Sequence, residues 1–294
     1  MKLVIRRTAV CSLLAAAGLL LAHRAGAQLP SSPRRFVDFL DERCYTIPNQ
    51  PSLNVPLTLN HLNPVLQSAG LPTEQVTLGP PQKLCVPVTK NGMTAPSDTL
   101  PFIMFVDWKC YAISGPSVNF PLQLTQLNPV IASLFGPSLA VTMLAPQQLC
   151  VPVVKNSSNP PANVQALVEW LDVKCYGISA PSGPTQNITL AHLNPLLSGL
   201  PPEVSAVGPT PTQLCVPVAK NGQIPPSGIL PFVQFADVLC YPATGKPLNM
   251  NLTLHHLNPV LVGMGLPPET VPVTASQQLC VPVAKNGMLP PGPP

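Results

Sequence analysis

Leu84-Cys85-Val86-Pro87-Val88-Thr89-Lys90-Asn91-Gly92 decides how this chain is read, because the stretch comes back three more times. The later copies are Leu149-Cys150-Val151-Pro152-Val153-Val154-Lys155-Asn156-Ser157, Leu214-Cys215-Val216-Pro217-Val218-Ala219-Lys220-Asn221-Gly222 and Leu279-Cys280-Val281-Pro282-Val283-Ala284-Lys285-Asn286-Gly287. Each is preceded, 40 or 41 residues earlier, by a Cys-Tyr pair: Cys44-Tyr45, Cys110-Tyr111, Cys175-Tyr176 and Cys240-Tyr241. Successive copies start 66, 65 and 65 residues apart, so one small module has been duplicated in tandem. The fold class that follows is mostly β. It consists of four disulfide-stapled modules of about 65 residues, each with a short helix or 3₁₀ turn at a Leu-Asn-Pro motif.

The modules are bounded at 36–92, 102–156, 167–222 and 232–287, with proline-rich joints between them and a proline-rich tail at 288–294. Residues 28–35 form an N-terminal segment. Ahead of it, Lys2, Arg6 and Arg7 lead into an apolar run from Thr8 to Ala22, followed by small residues at Ala25-Gly26-Ala27. That is the pattern of a Sec-type signal peptide cleaved after Ala27, and the run is too short for a membrane span. The stop at Pro294 falls inside a fourth joint, so the copies read as whole units.

Removing the leader changes the charge. Of 15 basic residues four leave with it, and the remaining 11 face 11 acidic ones, so the mature chain is neutral. Nucleic acid and anionic membranes, which need clustered positive charge, are excluded as expected partners. Cys11 leaves too, and the nine cysteines become eight, an even set in an exported chain.

Within a module, the segments 36–45, 102–111, 167–176 and 232–241 are apolar, aromatic and free of proline, and read as strands. On that reading Phe39, Phe105, Trp170 and Phe235 share a face with the tyrosines. The motif Leu62-Asn63-Pro64 and its counterparts at Asn128, Asn194 and Asn258 place an N-cap before a proline at the first helical position. A proline inside the closing run, such as Pro87, predicts an edge strand or one paired on a single side at that point. Asn91-Gly92, Asn156-Ser157, Asn221-Gly222 and Asn286-Gly287 are turn signals.

Within-copy pairing uses every cysteine and leaves each module identical: Cys44–Cys85, Cys110–Cys150, Cys175–Cys215 and Cys240–Cys280. Pairing each closing cysteine with the next opening one would strand Cys44 and Cys280, unless the array closed into a ring. A staple across a loop of this length adds roughly 4 kcal/mol in the chain-entropy model, as much as a small module's whole stability.

An acid and a base recur as well. Asp41, Asp107, Asp172 and Asp237 each lie three residues before the opening cysteine, and Lys90, Lys155, Lys220 and Lys285 five after the closing one. Across an antiparallel pair they fall one diagonal step apart, and read as structural ion pairs of modest, surface type rather than as proton-transfer dyads. His61, His192 and His256 share one position that Gln126 fills in the second copy, which favours hydrogen bonding over metal ligation. No nucleophile elbow, phosphate loop or free thiol is present, so neither catalytic residue, metal nor cofactor is expected. The segments 46–55, 112–120, 177–186 and 242–250 vary most between copies, as recognition loops on a repeated scaffold do.

Cys-Tyr at the opening strand with Leu-Cys-x-Pro-Val-x-Lys-Asn-Gly at the close resembles a family of exported bacterial repeat domains of unknown function. The likeness runs from Phe36 to Gly287, with Leu-Asn-Pro departing from the family's acidic middle segment. It implies export and repetition. The function expected is a non-enzymatic structural or adhesive role at or outside the cell envelope. The alternative is a secreted binder, such as a multi-headed inhibitor, that contacts an extracellular protein or glycan through its variable loops.

Overall fold

The computed structural model describes residues 29–294, and the expected signal peptide with its cleavage point lies outside them. The first module is α1 (Pro33–Val37), β1 (Glu42–Thr46), β2 (Pro56–His61), α2 (Pro64–Ser68), β3 (Glu74–Thr77) and β4 (Pro81–Lys90). The second is α3 (Leu100–Ile103), β5 (Trp108–Ala112), β6 (Phe120–Gln126), α4 (Pro129–Phe135) and β7 (Ser138–Lys155), which runs the last two strands together. The third is α5 (Ala162–Val168), β8 (Val173–Ser179), β9 (Gln186–His192), β10 (Glu203–Val207) and β11 (Gln213–Lys220), with a bare turn after Asn194. The fourth is α6 (Leu230–Val233), β12 (Val238–Thr244), β13 (Met250–His256), α7 (Pro259–Gly263), β14 (Glu269–Val273) and β15 (Ser276–Lys285).

The eight strands that carry cysteines close on themselves. Each opening strand pairs with the closing strand of its own module and with that of the module before, and β15 returns to β1. Every ladder is antiparallel, so the result is an eight-stranded barrel with no free edge. Residues an even number of steps from a cysteine point to its axis. Three layers fill it: Glu42, Trp108, Val173 and Val238; then the eight sulfurs; then Lys83, Gln148, Gln213 and Gln278.

Hairpins wrap the outside. They are β2–β3, β6 with the first half of β7, β9–β10 and β13–β14. Leu57, Leu59 and Val76 of the first hairpin pack on Tyr111, Leu149 and Val151 of the second module. Leu252, Leu254 and Val271 of the last pack on Tyr45, Leu84 and Val86 of the first. Each leading strand also pairs with the closing strand two modules away: β2 with β11, β6 with β15, β9 with β4, and β13 with β7. No module therefore has a core of its own, in contrast to the self-contained 65-residue units that the repeat length invites.

One reading of local structure changes. The segment 36–45 and its counterparts are not single strands. Prolines at the start (Pro33, Pro101, Pro231) or just before it (Pro161) set a short helix, and extension begins only at Glu42, Trp108, Val173 and Val238. Phe39 consequently packs with the helices at the barrel end, while Tyr45 lies in the outer cluster, so they do not share a strand face. The closing strands are central, and at the proline they pair on a single side, the second of the two arrangements expected there. Pro87 sits opposite Glu42 on one flank, at the point where the other flank changes from β5, paired as far as Cys85, to β9, paired from Val88. No ladder N–H is needed there, and the Pro87 carbonyl accepts from Leu193 N at 2.9 Å. Asn91 and Gly92 follow at φ 47° and 74°, a left-handed pair that turns the chain out of the strand.

The ends meet across this closure. Arg34 N donates to the Pro291 carbonyl at 3.0 Å, and the Ser32 hydroxyl to that of Pro293 at 2.6 Å. A chain truncated after Ser227, lacking the fourth module, should therefore lose cooperative unfolding altogether. Calorimetry of the full chain should give one transition, and separate transitions would contradict the closed ring.

Candidate functional site

The recurring acid and base meet in all four modules, as Asp41–Lys90, Asp107–Lys155, Asp172–Lys220 and Asp237–Lys285. The expectation of a surface pair fails, because no side chain among the eight is more than 4% exposed. The hairpin wrapping seals them. Burial raises the carboxyl pKa values, to about 6 at Asp172 and Asp237, against the opposing pull of the lysines. It lowers those of the lysines in turn.

The asparagine of Leu-Asn-Pro completes each pair from another module. Asn63 Nδ2 donates to Asp237 at 2.6 Å, Asn194 to Asp107 at 2.7 Å, Asn258 to Asp172 at 2.5 Å, and Asn128 to Asp41 at 3.4 Å. Its Oδ1 meanwhile accepts the N–H two residues on, at 3.0 Å in each copy. One side chain thus caps a turn and ties two modules together, a link that spacing along a single copy does not reveal.

A second set joins modules across the ring. The tyrosine after each opening cysteine shares a hydrogen bond with the histidine two modules away: Tyr45 with His192 (3.1 Å), Tyr111 with His256 (3.2 Å) and Tyr176 with His61 (3.0 Å). A buried cation beside each tyrosine pairs with a glutamate of the same distant module, as Arg43–Glu203, Lys109–Glu269 and Lys174–Glu74. The fourth site is different throughout: Leu239 replaces the cation, Gln126 Nε2 donates to Tyr241 at 2.9 Å, and Phe135 stacks on that ring. Burial and the neighbouring cations push His61 and His256 down to about 3 and His192 to about 4. Burial lifts the tyrosines, Tyr45 and Tyr241 to about 12. Neutral imidazoles and un-ionised phenols are hydrogen-bonding parts here, neither of them poised for proton transfer at neutral pH.

The barrel ends are unlike each other. At one, α1, α3, α5 and α6 plug the interior with Phe36, Phe102, Leu167 and Phe232. At the other, Lys83 Nζ donates to Gln278, Gln148 and Gln213 Oε1 at 2.7, 3.2 and 3.2 Å, using all three of its N–H groups. Burial pulls Lys83 down to about 8, so it is charged at neutral pH. Gln82, Gln147 and Gln277 ring this floor, and an open bowl of about 680 Å³ stands above it, lined also by Thr46, Ile47, Ala112 and Ile113. Among the described residues no acidic side chain lines that bowl. Glu42, beyond the sulfurs, has neither oxygen hydrogen-bonded, and burial with repulsion from Asp107 raises it well above the usual range, which favours a neutral carboxyl.

Among the described residues no group of three or more His, Cys, Asp or Glu side chains is placed to hold a metal ion. No family model, curated protein or solved structure matches the chain.

Two outcomes follow from the buried groups. Asp172→Ala, which strands Lys220, should cost about 3–5 kcal/mol in urea unfolding. The histidines act through pH. Their folded pKa values lie below the unfolded value of about 6.5, so falling pH protonates the unfolded chain first and erodes stability from about pH 6.5 to 3. Each contributes a slope of about 1.4 kcal/mol per pH unit. Asp172 and Asp237, raised to about 6, act in the opposite sense between about pH 6 and 4. Replacing His61, His192 and His256 together by Gln, as Gln126 already stands in the second module, should preserve the fold and flatten the acid limb relative to the parent chain.

Proposed function

We propose that this chain is an exported, non-enzymatic binding protein that holds its ligand at the open end of the barrel. One observation carries the reading: the two ends differ, and the variable loops belong to the open one. The opening strands all run toward the bowl, with Thr46 opposite Lys83, Ala112 opposite Gln148, Gly177 opposite Gln213 and Pro242 opposite Gln278. The segments 46–55, 112–120, 177–186 and 242–250 therefore all leave from one rim. A rigid ring that gathers its four most divergent segments around an amide-lined floor is suited to recognition.

Export is supported by the leader pattern and by four disulfides, which persist in oxidising compartments. Among the described residues no helix is long and apolar enough to cross a membrane. The closed ring favours recognition over an extended structural spacer, because its repeats do not add length. Adhesion at the envelope remains the same activity with an anchored ligand. The partner class is an extracellular protein or glycan, since amide side chains offer paired donors and acceptors to peptide groups and sugar hydroxyls alike.

A glycan array and capture from extracellular protein fractions should give saturable binding by the intact chain. Exchanging 46–55 for the third-copy loop should abolish it with the melting temperature unchanged. Binding that survives this exchange and a second exchange of 112–120 would place recognition elsewhere.

A further inference from the structure

The four disulfides form one circle. Within each module the sulfurs are bonded: Cys44–Cys85, Cys110–Cys150, Cys175–Cys215 and Cys240–Cys280. Between modules the sulfurs also touch: Cys85 and Cys110 at 3.9 Å, Cys150 and Cys175 at 3.7 Å, Cys215 and Cys240 at 3.8 Å, and Cys280 and Cys44 at 3.8 Å. Bonds and contacts alternate around eight atoms without a gap. The register is the same at every junction, since each closing cysteine lies diagonal to the next opening one. Lys83 faces Cys110 and Cys85 faces Trp108, and the other three junctions repeat this. The barrel therefore holds a second complete set of cysteine neighbours, one step out of phase with the bonded set.

We propose that the eight sulfurs form a single thiol–disulfide exchange circuit, in which a thiolate at one cysteine re-pairs the ring from within-module to between-module bridges. Each step is a displacement at sulfur. The Cys85 thiolate attacks Cys110 Sγ, the Cys85–Cys110 bond forms, the Cys110–Cys150 bond breaks, and Cys150 leaves as the new thiolate. Cys150 then attacks Cys175 and releases Cys215, which attacks Cys240 and releases Cys280. In the unmutated chain a small external thiolate opens the circuit: it attacks Cys44, forms a mixed disulfide there and displaces Cys85. At the end Cys280 attacks Cys44 and the small thiolate leaves, so no electrons are gained or lost overall. A cavity of about 10 Å³ on the axis is lined by all eight cysteines together with Lys83, whose charge sits where it can stabilise the travelling thiolate. The barrel strands need not part, because every new partner is already in van der Waals contact.

Parity supplies the test. In Cys44→Ser the odd thiol starts on Cys85 and can reach only closing cysteines: Cys85, Cys150, Cys215 and Cys280. In Cys85→Ser it starts on Cys44 and travels the other way, reaching only Cys44, Cys240, Cys175 and Cys110. Each full-length variant is held folded and oxygen-free at about pH 7.5, where Lys83 keeps its charge, then quenched in acid, unfolded, alkylated and digested for mass spectrometry. The circuit predicts alkylation spread over one parity class in each variant, with peptides bridged Cys85–Cys110, Cys150–Cys175 and Cys215–Cys240 in the first. A thiol that stays on Cys85 in one and on Cys44 in the other overturns the proposal, as does a thiol found on both classes, the mark of unfolding and scrambling. If neither variant folds, the unmutated chain treated with less than one equivalent of dithiothreitol must yield between-module bridges, and within-module bridges alone would refute the circuit.

Discussion

The ladder between β1 and β15 turns a linear repeat into a closed object, and every other feature depends on it. With Glu42 opposite Cys280 the last strand of the fourth module meets the first strand of the first. A module alone would expose both flanks of its two cysteine strands and one face of its hairpin, with a core too small for its entropy cost. Closure removes the edges of all eight cysteine strands at once. It also lets each hairpin use its neighbour's barrel wall as the second half of a sandwich, so the four units are stable only together.

Charge is treated in the same way. Nine ion pairs take up 18 of the 22 charged residues from position 28 onward. Seven of these pairs link or brace strands under the hairpins, and four carry an additional amide from a third segment. A buried pair adds little over a well-packed apolar pair, but a mismatched one is costly. These contacts thus discriminate between registers more than they strengthen the fold. Hairpins docked one module out of place would set a glutamate against Leu239 and leave one buried cation without a carboxylate.

Much of the scaffold was legible in the residues. Repetition at 65 and 66 residues set the module, apolar and aromatic segments free of proline set the β class, and Asn-Pro set the capped turns. Burial was not legible, because Asp41 and Lys90 are covered by segments of other modules and local spacing looks the same for a surface pair. Yet one signal for the cross-ring contacts was present in the sequence. The copy with Leu239 in place of a cation and the copy with Gln126 in place of histidine are two apart, the separation at which the tyrosine sites are assembled. Comparing the exceptions between copies, rather than the consensus, would have found it. The proline two residues after each closing cysteine did mark single-sided pairing, because the strand exchanges one partner for another at that residue.

Four separate copies of one module could build the same ring as a cyclic tetramer, and the meeting of Ser32 with Pro293 is the seam such an assembly would leave once its subunits were fused. Identical subunits, however, must place the same side chain four times around a rotation axis. Four ammonium groups could not share the space that Lys83 occupies among three glutamine oxygens, nor could four carboxyls share the level of Glu42 beside Trp108. Concatenation released the axis from that symmetry and allowed a single cation to be set at its centre.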